Sequence, residues 1–207
     1  MTGMRIALLG AYGSGKTTLA TAIERELGLP AVQAAGPMRI DPADDRERVH
    51  DWTPAQLVGL TVARYGDRRA AENRAAFVSD GSVLHEFVYG ALRLRAGSYP
   101  GTGRRPDRAR LAVTDRPVVL PLFWAPYPAV REYAKQAYTL LVHLPAEVPL
   151  AADAPIDDDF RARTDAMLTD LCADLDRPVH RVTGTVEQRL DRVARLVETT
   201  TREGSTT

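Results

Sequence analysis

The chain has 207 residues, 44% of them hydrophobic, and its Lys+Arg and Asp+Glu counts balance at 27 each. That length fits one substantial core rather than two. The even charge gives no global field to attract nucleic acid or an anionic membrane, so neither is expected as a partner and any phosphate affinity must be local. No apolar stretch approaches the ~18 residues that span a bilayer, and no signal-peptide pattern precedes the first apolar run, so a cytoplasmic location is expected.

In chain order, apolar runs alternate with helical periodicity, the pattern of β-α crossover units around a parallel sheet. Strands are predicted near residues 4–9, 30–35, 76–80, 138–144 and 178–182. Helices are predicted near 16–28, 53–75, 82–96, 117–136, 158–176 and 185–200. Thr53-Pro54 reads as an N-cap followed by proline at the first helical position, and Thr185 with Gln188 resembles a capping box. Residues 97–115 and 145–157 resist regular assignment; they are either loops around a ligand crevice or solvated surface. Residues 1–198 are expected to form a single domain. Residues 199–207 have no apolar content and are expected to be a disordered tail. Cys172 sits among Leu168, Leu171 and Leu175 at helical spacing, as a small buried hydrophobe does.

The first strand-to-helix junction carries the chemistry. Residues Gly10, Ala11, Tyr12, Gly13, Ser14, Gly15, Lys16 and Thr17 match G-x-x-x-x-G-K-[ST] in full, between the apolar Ile6–Leu9 and the helical pattern of Leu19, Ala20, Ala22 and Ile23. The glycines let the backbone curl until successive N–H groups face phosphate oxygens, and the following helix, with Thr18 in its first turn, presents its positive end to the same anion. Lys16 can reach the β- and γ-phosphates, and the Thr17 hydroxyl can ligate Mg²⁺. Of the 27 basic residues only Lys16 and Lys135 are lysines, so a lysine at this position is not compositional background. A nucleoside triphosphate, ATP with Mg²⁺, is the expected ligand.

With that loop, the segments Phe77–Ser82 (FVSDGS), Tyr138–Pro145 (YTLLVHLP) and Asp157–Arg163 (DDDFRAR) resemble the P-loop small-molecule kinases. Within that group they are similar to the AAA-type ATPase/kinase-like proteins related to the nicotinamide riboside kinase domain of NAD-metabolism regulators. The resemblance implies an α/β P-loop NTPase fold: a five-stranded parallel sheet, order 2-3-1-4-5, sandwiched by helices and closed by a lid. It implies a kinase that passes the γ-phosphoryl group of ATP to a hydroxyl of a small molecule, by default a nucleoside or nucleoside-like acceptor.

It also implies roles for particular residues. Asp80 stands where such kinases end the third strand in an acid, as metal ligand or base, but Gly81 follows where the family often has arginine. Arg161 and Arg163 align with lid arginines that meet the transferred phosphoryl group. Arg39 resembles an acceptor-binding arginine, and Asp41 is a rival base in the same loop. His85 and Glu86, one turn into the next helix, either line the acceptor pocket or form an ordinary helix pair. Thr183-Gly184-Thr185 follows the last strand, where backbone meets the adenine ring, and Gly184 permits that approach. The arginines at 93, 95, 104, 105, 108 and 110 either bind an acidic acceptor or solubilise a loop. Trp124 and Tyr127 are expected to pack a helix end.

A second reading stays open: a nucleotide-binding regulatory ATPase that acts through a protein partner, which the change to Gly81 would suit. A GTPase switch lacks its Asn-Lys-x-Asp segment, and an AAA motor lacks a hydrophobic run ending in Asp-Glu. The acceptor's identity is open, and a homodimer is compatible with the sequence.

Overall fold

The computed structural model describes residues 3–33, 53–96, 112, 114–152, 154 and 156–204. Arg39, Asp41 and the arginines at 104, 105, 108 and 110 lie outside the described residues. The described strands are β1 (Arg5–Leu9), β2 (Ala31–Val32), β3 (Phe77–Ser79), β4 (Leu140–His143) and β5 (Val179–Arg181). All pair in parallel, in the order β2-β3-β1-β4-β5 that the family resemblance implies.

β1 is central, with Ile6 opposite Val78 on one side and Leu140 on the other. A central parallel strand is covered on both faces, which explains why Ile6, Ala7, Leu8 and Leu9 are all apolar. Ile6 and Leu8 face a core with Leu19 and Ile23 of α1 (Lys16–Leu27) and Val193 and Val197 of α7 (Val186–Gly204). Ala7 and Leu9 belong to the opposite core, shared with Leu57 of α2 (Pro54–Ala71), Phe87 of α3 (Val83–Ala96) and Phe160 of α6 (Asp158–Ala173). Because every parallel crossover starts from the carboxyl end of a strand, the turns after β1 and β3 lie together at one edge of the sheet, where this architecture places its ligands.

Both predicted caps form. Thr53 and Gln56 make a reciprocal box with Pro54 in the first turn, and the Thr185 and Gln188 side chains bond each other's backbone N–H. The single helix expected over 117–136 is instead two, α4 (Arg116–Trp124) and α5 (Tyr127–Ala137). Pro126 and Pro128 remove two N–H donors from the i→i−4 ladder, and the chain turns there. Trp124 packs edge-on against Tyr127 across the break, at 5.3 Å between centroids. The expected tail also differs, because α7 continues to Gly204. There Thr199, Thr200 and Thr201 donate their hydroxyls to carbonyls one turn back, which lets a polar threonine run stay helical. Cys172 is buried as expected, and burial pushes its thiol up to about 12.

α2 and α3 approach closely at Gly90, where an added Cβ would lie 2.5 Å from Thr61 Oγ1 and 2.8 Å from the Phe123 ring. Gly90→Ala gains about 1 kcal/mol of helix propensity but overpacks the junction at a cost of about 1–3 kcal/mol. A net loss of stability is expected in urea unfolding, and a midpoint equal to or above that of the wild type would contradict this packing.

Candidate active site

The loop between β1 and α1 takes its shape from its glycines. Gly10 has φ +140°, and a Cβ there would lie 2.4 Å from the Leu144 carbonyl oxygen and 2.7 Å from Ser14 Oγ. No other residue type fits that position. A loop that turns its N–H groups inward to make an anion nest must turn carbonyls outward, and those need donors. Lys16 Nζ donates to the carbonyls of Gly10 (2.9 Å) and Ala11 (2.8 Å). His85 Nε2 reaches the Gly10 carbonyl at 3.0 Å, Arg161 Nη2 the Gly13 carbonyl at 3.4 Å, and Arg189 Nη1 the Ser14 carbonyl at 2.6 Å. Three helices, α3, α6 and α7, thus hold the loop from behind.

The tautomer of His85 follows from its partners. A carbonyl only accepts, so Nε2 carries the proton and Nδ1 accepts from the Ser82 hydroxyl at 2.9 Å. Burial, reinforced by the nearby charges of Lys16 and Arg68, holds the imidazole pKa well below its usual value and keeps the ring neutral. Lys16 as a residue is only half-buried, but its ammonium is enclosed by the loop. That desolvation, opposed by the charge of Asp80, lowers its pKa to about 8.

Across the loop stands the end of β3. The Thr17 hydroxyl donates to Asp80 Oδ2 at 2.6 Å, joining the first turn of α1 to the third strand. These are two hard oxygen groups side by side. Mg²⁺ takes one or two protein oxygens together with phosphate oxygens and water, and the pair fits that donor set. Among the described residues no group of three His, Cys, Asp or Glu side chains could hold a metal without such added ligands.

Beside Lys16 and Asp80 opens a cavity of about 170 Å³ between α2 and α3, with Leu57, Leu60, Tyr89 and Ile156 on its apolar walls. Its polar wall is a buried network. Glu86 takes Arg68 Nε on Oε1 at 2.9 Å and Arg64 Nε on Oε2. Arg68 Nη1 donates to Ser79 Oγ at 3.0 Å and to the Asp80 carbonyl at 3.3 Å. Ser79 Oγ donates in turn to Glu72 at 2.6 Å, a carboxyl whose pKa burial raises.

The sequence-derived candidates sort unevenly. Lys16, Thr17 and Asp80 converge, and His85 and Glu86 line the cavity with Lys16 and Asp80. His85 spends both ring nitrogens on protein groups, so it braces the loop. Arg161 is buried against the loop, held by the Val148 and Gly13 carbonyls. Arg163 is exposed, paired with Asp159 at 2.9 Å, and does not line the cavity. Two residues along a helix point to opposite sides, so α6 presents only one of this pair to the loop. Gly184, at φ +97°, donates its N–H to Glu147 Oε2, which also takes Arg189 Nη2 at 2.7 Å. Of the arginines at 93 and 95, the first is buried and lines the cavity and the second is exposed. Arg64, Arg68 and Arg189 were not singled out from the sequence. In a chain with 27 basic residues, almost all arginine, no local pattern distinguishes them.

A family model described as an AAA domain matches residues 5–189. The chain belongs to that family. No curated protein matches it in sequence. Among solved structures, deoxyadenosine kinase from M. mycoides with bound dATP superposes at TM-score 0.64 with 14% identity, covering 94% of this chain and 100% of that one. YorR protein from Bacillus subtilis in complex with phosphorylated GDP gives TM-score 0.51 and 12% identity, covering 94% and 96%. NadR protein in complex with NR gives 0.48 and 14%, covering 88% of this chain and 44% of that one. The first two likenesses agree with the P-loop kinase-like fold of the sheet and loop described above.

Lys16 supplies the pH dependence. A bound triphosphate stabilises the ammonium form, so its pKa rises above about 8 on binding. Between those two values binding takes up a proton, and affinity falls as pH rises through 8. Calorimetric titration of ATP at pH 8.5 in buffers of different ionisation enthalpy is expected to show proton uptake, and less of it at pH 7.0, where Lys16 is already protonated.

Proposed function

We propose that this protein is an ATP-dependent kinase that transfers the γ-phosphoryl group to a hydroxyl of a small molecule, with a nucleoside or nucleoside-like acceptor. The observation that carries the reading is the placement of Asp80 between the Thr17 hydroxyl and a walled cavity that opens onto Lys16. A nucleotide switch needs a phosphate loop; it has no use for a partly apolar compartment beside the phosphate-binding lysine. The likeness to the M. mycoides deoxyadenosine kinase supports the same class.

Mg·ATP supplies the electrophilic phosphorus and the divalent charge. This chain's residues do the rest. Loop N–H groups and Lys16 bind the phosphates, while Thr17 and Asp80 would hold Mg²⁺. Asp80 also stands where it could accept the proton of the acceptor hydroxyl. Apolar walls of Leu57, Leu60 and Ile156 favour a small organic acceptor over water. Catalysis then comes chiefly from positioning and charge neutralisation, as expected for phosphoryl transfer through a loose transition state.

The test is Mg²⁺-dependent ADP release against a panel of nucleosides, nucleotides and sugars. Acceptor-stimulated turnover is expected. Asp80→Asn should lower it by roughly 10²–10⁴-fold if Asp80 serves in proton transfer, and Lys16→Ala should abolish measurable nucleotide binding. ATP turnover that no acceptor stimulates, together with nucleotide-dependent capture of a protein partner, would instead establish the regulatory reading.

A further inference from the structure

We infer that Arg68, supplied by α2, is the residue that positions Asp80 and Glu86 at the acceptor end of the site, and that position 81 is glycine to leave it room. The inference rests on the kinase reading only in taking Asp80 as part of the metal site.

The geometry is specific. Arg68 is 4% exposed, and its guanidinium bridges three groups on two elements. It holds Ser79 Oγ and the Asp80 carbonyl at the end of β3, and Glu86 Oε1 on α3, with both Nε and Nη2 at 2.9 Å from that oxygen. A planar fork does this and a single ammonium cannot, because the acceptors lie along different N–H directions of one rigid plane. Gly81 adopts φ +112°, a conformation that disfavours every residue with a Cβ. A Cβ there would stand 3.1 Å from Arg68 Nη2 and 3.4 Å from Cζ. The guanidinium therefore occupies the space beside the strand end that any side chain at 81 would enter. The positive charge at this end of the cavity comes from a helix 13 residues upstream, and the bare backbone of Gly81 is its seat. Since its acceptors are protein groups, Arg68 is a positioning residue: it sets the direction in which the Asp80 carboxylate leaves the strand.

Two measurements test this on the full chain. The first is ATP affinity with Mg²⁺ relative to ATP affinity with EDTA. Arg68→Met is expected to reduce that ratio at least tenfold, with the EDTA value within twofold of wild type. Arg68→Lys should stay close to Arg68→Met, since charge alone does not restore the fork. A folded Arg68→Met protein that keeps the wild-type ratio overturns the inference.

The second is a double-variant cycle in urea. Strain from the positive φ is common to both backgrounds, so it cancels in the coupling energy, and Gly81→Ala should cost measurably less stability in Arg68→Met than in the wild type. Additive losses overturn the inference. If Arg68→Met does not fold, Gly81→Ala and Arg68→Lys carry the test: lowered Mg²⁺ ratios in both support it, and wild-type ratios overturn it. A wild-type protein whose ATP affinity ignores Mg²⁺ removes the metal role of Asp80. The cycle, which needs neither metal nor acceptor, then decides the Gly81–Arg68 pairing by itself.

Discussion

An anion nest has an outer side, and satisfying that outer side is the constraint on which this site depends. When Gly10 through Thr17 curl to face their N–H groups inward, the carbonyls of Gly10, Ala11, Gly13 and Ser14 face the protein. Each is met by a side chain: Lys16 from the loop's own helix, His85 from α3, Arg161 from α6, and Arg189 from α7. Buried carbonyls without donors would be costly, and donors delivered by separate helices fix the loop before any ligand arrives. Lys16 is the exception that matters for binding. It can leave the Gly10 and Ala11 carbonyls for a phosphate while His85 continues to satisfy Gly10.

The second half of the site obeys a related rule. Asp80 must stand at the end of β3 with its carboxylate toward Thr17, yet the strand end itself is short and irregular. Rigidity comes from a buried polar chain, running from Glu72 through Ser79 to Arg68 and on to Glu86 and Arg64. Such a network is tolerable in a low-dielectric interior only when its members are paired, and here Glu72 and Glu86 each face at least one donor. The cavity beside it is consequently charged on one wall and apolar on the other. That division suits a ligand with both an apolar and a polar face.

Much of this was legible in the sequence because it is encoded locally. The phosphate loop is a contiguous motif whose glycines, lysine and threonine each have one physical reason to be there. The capping boxes at Thr53 and Thr185 are contiguous signals too, the alternation of apolar runs with helical periodicity led to five strands of a parallel sheet, and the family resemblance supplied their order. Where local rules conflicted, expectations failed: two prolines split the helix expected over 117–136, and threonines able to bond their own backbone continued α7 past residue 199. Arg161 and Arg163 could not be separated from spacing alone, because only the packing of α6 decides which of the two faces the loop.

The sequence by itself determined the nucleotide loop, the fold class, and the strand end on which Asp80 stands, since all three rest on residues adjacent in the chain. Tertiary structure alone decided who serves those residues. Arg68 reaches Gly81 and Asp80 across a helix-to-strand junction, and Arg189 reaches Ser14 from the far end of the chain. Arginine is so abundant here that composition masks these few, and a long flexible side chain carries no periodic signal of its own. Its partner is chosen by which carbonyls and carboxylates the fold brings within reach, which is a property of packing in three dimensions.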